Sequence, residues 1–229
     1  MKTNLDQLKK QIIQVCKLMH LKGFTSATDS NVSVKLSDDK FLVTPSGINK
    51  AFIKESDLVI INAKGKVIGG NKKHRPSSEW RMHLKAYQLR KDINAVVHAH
   101  PPYITAYTIA GLEMPSAILP ETVLTLGKIP VTEYSTPTSP DNARIIEKYI
   151  KVYDVVVLKR HGALTIGNDL YSAYNKLEEL EYTALTGIAA KALGGCTPLL
   201  HDEVKRLLEM GNGLGILSQS CIKASKENL

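Results

Sequence analysis

Apolar side chains recur at Leu5, Leu8, Ile12, Val15 and Met19, with steps of three and four residues, and Gly23 follows as a stop. Residues spaced this way share one face of a helix, so residues 4 to 22 are expected to open the chain as an amphipathic helix. The pattern then changes to short β-branched runs, Asn31-Val-Ser-Val, Phe41-Leu-Val-Thr, Leu58-Val-Ile-Ile and Lys66-Val-Ile-Gly, separated by Ser, Asp, Gly and Pro. Runs this short with turn residues between them predict an antiparallel meander.

The helical period returns after Ser77-Ser78-Glu79, with Trp80, Leu84 and Tyr87 on one face, and leads into the strand Ala95-Val-Val-His-Ala-His. Pro101-Pro102 ends that strand, since proline cannot donate to a ladder. A helix near 102 to 111, a Pro-marked segment at 115 to 137, a helix near 139 to 151 and the strand Asp154-Val-Val-Val-Leu are expected next. Gly162 and Gly167 bracket another short strand. A long helix from Leu170 to Leu193 ends at Gly194-Gly195, and a shorter one is expected at roughly 201 to 210. Residues 218 to 229 read as a flexible tail. No repeat or linker interrupts the chain, so the expectation is one α/β (α+β layered) domain over residues 1 to 229, a central mixed, largely antiparallel sheet with helices on both faces.

Composition narrows the function classes. The 229 residues are 43 % apolar and 23 % charged, as in ordinary globular proteins. The net charge of +8 would suit nucleic acid, an anionic membrane or a phosphorylated small substrate. Its lysines are scattered in short clusters with no basic stripe interleaved with aromatics, which disfavours nucleic acid. No apolar run approaches the roughly 18 residues of a membrane span, and no signal segment stands at the start. Three cysteines, Cys16, Cys196 and Cys221, without CxxC spacing, fit a reducing cytoplasm.

The first chemical signal is His98-Ala-His100 at the end of an apolar strand. Side chains two apart point to one face and can reach one metal, a spacing that suits zinc, although a bare HxH also serves as two polar residues at a strand end. Arg160-His161-Gly162 ends a second apolar strand and offers a third imidazole. Three histidines would leave zinc an open position, the mark of a catalytic site. His20, His74, His83 and His201 stand in helical or loop contexts and read as surface or packing residues.

The helix start Pro76-Ser77-Ser78-Glu79 presents free N–H groups, hydroxyls and a positive dipole end, equally suited to an anion or to ordinary capping. Two small-residue loops, Ala27-Thr28-Asp29-Ser30-Asn31 and Thr44-Pro45-Ser46-Gly47, can donate to phosphate oxygens, and turns share that composition.

The string PSSEWRMHLKAYQLRKDINAVVHAH, preceded by GFTSATDSNVSV and FLVTPSGI and followed by RHGAL, resembles the class II aldolase/adducin family, and within it the L-fuculose-phosphate aldolases. The resemblance spans residues 5 to 210 or so. It implies zinc, or another divalent ion, on His98, His100 and His161, and Glu79 as acid/base. It also implies a phosphate pocket of Thr28, Asn31, Ser46, Gly47, Ser77 and Ser78, and a homotetramer with active sites between subunits. The implied reaction cleaves a ketose 1-phosphate to dihydroxyacetone phosphate and an aldehyde such as lactaldehyde.

Family relatives that epimerise ribulose phosphates carry aspartate where this chain has Glu79, so the aldolase reading ranks above the epimerase. Two tyrosines of the fucose-pathway enzymes have no counterpart in Ile118-Leu-Pro-Glu-Thr122 or in the 207 to 213 stretch. The aldehyde half of the substrate is therefore left open, with Glu121 a candidate for a different pocket. A sugar-phosphate decarboxylase or dehydratase, a metal-free adducin-like interaction domain and, last, a zinc hydrolase are the competing readings.

Overall fold

The computed structural model describes residues 5–215, 217 and 221. Helix α1 (Leu5–Leu21) opens the chain, followed by strands β1 (Asn31–Ser37), β2 (Lys40–Val43), β3 (Val59–Ile61) and β4 (Val67–Gly70). Then come α2 (Trp80–Leu89), β5 (Ala95–Ala99), α3 (Pro102–Ile109), α4 (Pro120–Thr125), α5 (Pro140–Ile145) and α6 (Glu147–Ile150). The hairpin β6 (Val155–Leu158) and β7 (Gly162–Gly167) precedes α7 (Leu170–Ala192) and α8 (His201–Leu214).

The strands form one seven-stranded sheet in the order β4-β3-β2-β1-β5-β7-β6. All six pairings are antiparallel, and the parallel component of the expected mixed sheet is an isolated bridge between Val131 and Val157. The first four strands run as the expected meander.

Both faces of the sheet are covered, which explains why β5 and β6 are apolar at almost every position, whereas β1, in the middle of the order, alternates apolar residues with Asn31, Ser33 and Lys35. Ala95, Val97 and Ala99 of β5 and Val155 and Val157 of β6 join Ile12, Val15, Met19, Leu177 and Leu180 in one core, beneath α1 and α7. Val96 and Val156 join Met82, Leu84, Tyr87, Ile146 and Ile150 in a second, beneath α2, α5 and α6. Each large aliphatic side chain removed from water in these layers contributes roughly 1.5–3 kcal/mol. Because side chains alternate along a strand, His98 points to the α2 side of the sheet, with Val96.

Several elements differ from the sequence pattern. The Pro-marked segment contains α4, six residues long and too short to show a period. The helix expected near 139 to 151 is two pieces that meet at Ile146. α8 continues past 210, to a left-handed Gly215. The tail expected at 218 to 229 lies outside the described residues except Cys221, which is buried with its Sγ 3.5 Å from the Val123 carbonyl. No described helix is long and apolar enough to cross a membrane.

Candidate active site

Sheet register brings the site together. Asn31, at the start of β1, is paired with His98, one residue from the end of β5, and Ala99 is paired with Ala163 just after the β6–β7 turn. That turn carries His161, whose N–H donates to the Leu158 carbonyl at 3.0 Å. Gly162 is required there. A Cβ at this position would stand 2.2 Å from the Ala99 carbonyl oxygen and 3.0 Å from His100 Cα, and its φ is +153°. The close approach of the two backbones sets His161 beside His98 and His100.

The three imidazoles face one another, each pair of ring centroids 4.8 Å apart and inclined by 60–63°. His98 Nδ1 donates to the Ala163 carbonyl at 2.9 Å, which turns Nε2 inward. His98 Nε2 lies 2.9 Å from His100 Nε2 and 3.0 Å from Glu79 Oε2, and His161 Nε2 lies 3.4 Å from Glu79 Oε1. Ligand atoms of Glu79, His98, His100 and His161 all fall within 4.8 Å of one another. Three imidazole nitrogens and one carboxylate oxygen converging in this way fit a borderline divalent cation such as zinc. Two lone pairs 2.9 Å apart need a proton or a cation between them.

Glu79 precedes the first turn of α2 and makes no cap bond with its side chain, so the helix expected from Ser77 starts three residues later and leaves the carboxylate free to face the histidines. Its two oxygens also accept from the Asn31 amide at 3.2 Å and the Asn142 amide at 3.1 Å. Burial raises the Glu79 carboxyl, but the charge and hydrogen bond of His98, then His161 and Asn31, outweigh burial and hold it far below the usual carboxylate range. The same pairing raises His98 against its own burial. His100 is pushed down to about 3 and His161 to about 4, in each case by burial first and then by the neighbouring histidine charge.

Beside this cluster is a cavity of about 240 Å³ lined by Glu79, His100 and His161. Thr28, Asn31, Ser46, Gly47, Ser77 and Ser78, singled out by the sequence, all line it too. Its loops are stapled to each other: Ser46 N–H donates to the Arg75 carbonyl and Ser77 N–H to that of Thr44, around an antiparallel Pro45–Pro76 bridge. A Cβ at Gly47 would meet nothing within 4 Å, so the backbone there is open to a ligand. Glu121, by contrast, is exposed on α4 and does not line this cavity.

Sequence reasoning missed four participants. Asn142, 2 % exposed at the start of α5, carried no signal beyond its place behind a Ser139 cap. Pro137 and Thr138 close the cavity. His83, read as surface or packing, is 3 % exposed and hydrogen-bonded at both nitrogens: Nδ1 lies 2.7 Å from Ser33 Oγ, and Nε2 lies 2.5 Å from Asn31 Oδ1. Since the Asn31 amide nitrogen donates to Glu79, its oxygen must accept, so His83 carries its proton on Nε2 and Ser33 donates to Nδ1. The four described non-glycine residues with positive φ, Ala27, Ser30, Thr138 and Arg160, all lie in or beside this site.

A family described as Class II Aldolase and Adducin N-terminal domain matches residues 10–187, and the chain belongs to it. An L-fuculose phosphate aldolase of Methanocaldococcus jannaschii is 36 % identical over 176 residues, covering 77 % of this chain and 93 % of its own. A 3-oxo-tetronate 4-phosphate decarboxylase of Haemophilus influenzae is 33 % identical over 186 residues, 80 % of this chain and 87 % of its own. A solved L-fuculose 1-phosphate aldolase superposes with a TM-score of 0.81 at 34 % identity, covering 91 % of this chain and 97 % of its own.

Proposed function

We propose that this protein is a zinc-dependent aldolase that reversibly cleaves a ketose 1-phosphate, L-fuculose 1-phosphate or a related deoxyketose phosphate, to dihydroxyacetone phosphate and an aldehyde such as lactaldehyde. The observation that carries the reading is the position of the Glu79 carboxylate. It touches two of three converging histidines and opens onto a cavity lined by hydroxyls and free backbone. The similarity to named L-fuculose phosphate aldolases supports it.

His98, His100 and His161 would hold the ion, which when bound acts as a Lewis acid on the substrate carbonyl. The Thr28, Ser46, Ser77 and Ser78 hydroxyls and the Gly47 N–H orient the phosphate, with Asn31 lining the same cavity. As the C3–C4 bond breaks, the C4 hydroxyl gives its proton to the Glu79 carboxylate and becomes the aldehyde carbonyl, and Glu79 delivers that proton to C3 of the leaving dihydroxyacetone phosphate. In condensation Glu79 removes that proton. Asn31 and Asn142 hold one carboxylate oxygen each, so the group that moves the proton keeps a fixed orientation. The working assembly in this reading is a cytoplasmic homotetramer with sites completed between subunits.

The test is the zinc content of the purified protein together with dihydroxyacetone phosphate release from a panel headed by L-fuculose 1-phosphate, with and without a chelator. Chelator-sensitive release is expected. Bound metal without release, and carbon dioxide released from a 3-oxo-tetronate phosphate, would overturn it in favour of the decarboxylase reading that the Haemophilus influenzae relative supports.

A further inference from the structure

The cavity that the proposed reaction needs for a phosphate has an electrostatic deficit. Asp29 and Glu79 line it, and none of its lining residues is a lysine or an arginine. A cation does stand behind its wall. Lys50 is 1 % exposed, among the largest fully buried side chains among the described residues. Its Nζ donates to the Thr28 carbonyl at 3.1 Å and to the Ile48 carbonyl at 2.9 Å. Among the described residues no carboxylate lies within ion-pair distance of it, and Asp29 and Cys16 act on it only at longer range.

Burying an ammonium group without a counter-ion is costly, so such a group persists where something offsets the cost. The two carbonyls identify what that is. Thr28 belongs to one loop of the cavity, and Ile48 directly follows Ser46 and Gly47 in the other. A single side chain therefore ties the two loops at a fixed separation and brings a positive charge behind the wall of the cavity.

We infer that Lys50 is a positioning residue for the substrate's phosphate group, serving as both the spacer of the two loops and the buried counter-charge of the anion they bind. The assignment rests on the reading of this cavity as a phosphate site. It makes no use of the metal cluster, and Lys50 touches neither the histidines nor Glu79. An anion bound in front of Lys50 supplies, across the loop wall, the counter-charge that the free protein lacks. Affinity for phosphate should then depend on the charge at position 50 even when the loops stay in place.

Two variants separate charge from spacing. Lys50→Met removes the charge and both hydrogen bonds, while Lys50→Gln, one bond shorter, removes the charge and keeps an amide N–H donor. Inorganic phosphate is titrated calorimetrically into wild type and both variants, metal-loaded and chelator-treated, and KM and kcat are taken for the best ketose phosphate. Both variants should bind phosphate about tenfold more weakly or worse, with KM raised in proportion, kcat changed by less than about twofold and metal content unchanged. If Lys50→Met does not fold, Lys50→Gln carries the test alone. Wild-type affinity for phosphate in Lys50→Gln would overturn the counter-charge assignment while leaving the aldolase reading intact. Wild-type protein that binds no phosphate would overturn the reading of the cavity and this inference with it.

Discussion

Glu79 Oε2 and His98 Nε2 are 3.0 Å apart, closer than Glu79 stands to any other of the three histidines. This contact is an ion pair that fixes the carboxylate beside the position proposed for the metal. In the proposed reading the imidazoles bind the ion and the carboxylate moves a proton, two jobs that a substitution can pull apart. Glu79→Gln keeps the size and the Asn31 and Asn142 neighbours. It should retain metal by elemental analysis and lose about 10²- to 10⁴-fold in dihydroxyacetone phosphate release. Near-wild-type turnover would remove Glu79 from the mechanism.

Asn142 provides a finer test. Its amide donates to the second carboxylate oxygen from a buried position. Hydrogen bonds to charged groups are worth roughly 1.5–3 kcal/mol, so Asn142→Ala should lower kcat about tenfold to a hundredfold with little change in KM. A rise in KM at constant kcat would place Asn142 against the substrate instead.

Gly162 tests the close approach that assembles the histidine cluster. In Gly162→Ala the new Cβ meets the Ala99 carbonyl, and overpacking of this kind costs about 1–3 kcal/mol. A lower melting temperature should come with weaker zinc binding, measured against a competing chelator. Loss of stability with unchanged zinc affinity would show that the turn does not set the histidine positions.

Acid should unfold the metal-free protein early. Burial holds His83 at about 3 and His100 at about 3, and His161 stands at about 4, against 6.5 for an unfolded histidine. Each ring binds a proton more readily when unfolded, so its contribution is intact above about pH 6.5 and is lost as pH falls towards the folded values. Glu79 acts in the same direction below 4.5. His98, which is raised, has the opposite slope: its contribution is present below 6.5 and disappears as pH rises through its folded value. Urea midpoints measured in chelator should fall between about pH 7 and about pH 5, and His83→Gln should reduce the slope. Equal midpoints at both pH values would contradict the burial of these rings.

Most of the fold was legible because apolar spacing distinguishes helix from strand wherever an element is long enough to repeat. α4 escaped because six residues do not repeat, and the break at Ile146 has no glycine or proline to mark it. That His98, His100 and His161 could converge was legible because metal binding restricts residue type and two of them share a strand face, whereas Glu79 was singled out through the family resemblance, and the structure brings all four together. Asn142, His83 and Lys50 were not legible. Pattern reading assigns polar residues to the surface, and only the pairing of Asn31 with His98 and the packing of the loops show that these three are buried near the site.

The left-handed residues around the cavity also bear on how the protein can be hardened. A side-chain-bearing residue in that conformation stores roughly 1–2 kcal/mol, and Ala27, Ser30, Thr138 and Arg160 all do so within reach of the site. A search for heat-resistant variants will find its relief here, by exchange to glycine at a cost in unfolded-chain entropy of roughly 0.4–1 kcal/mol. The same exchanges would loosen the loops that line the cavity, so in this protein gains in durability at the rim should come at the expense of turnover.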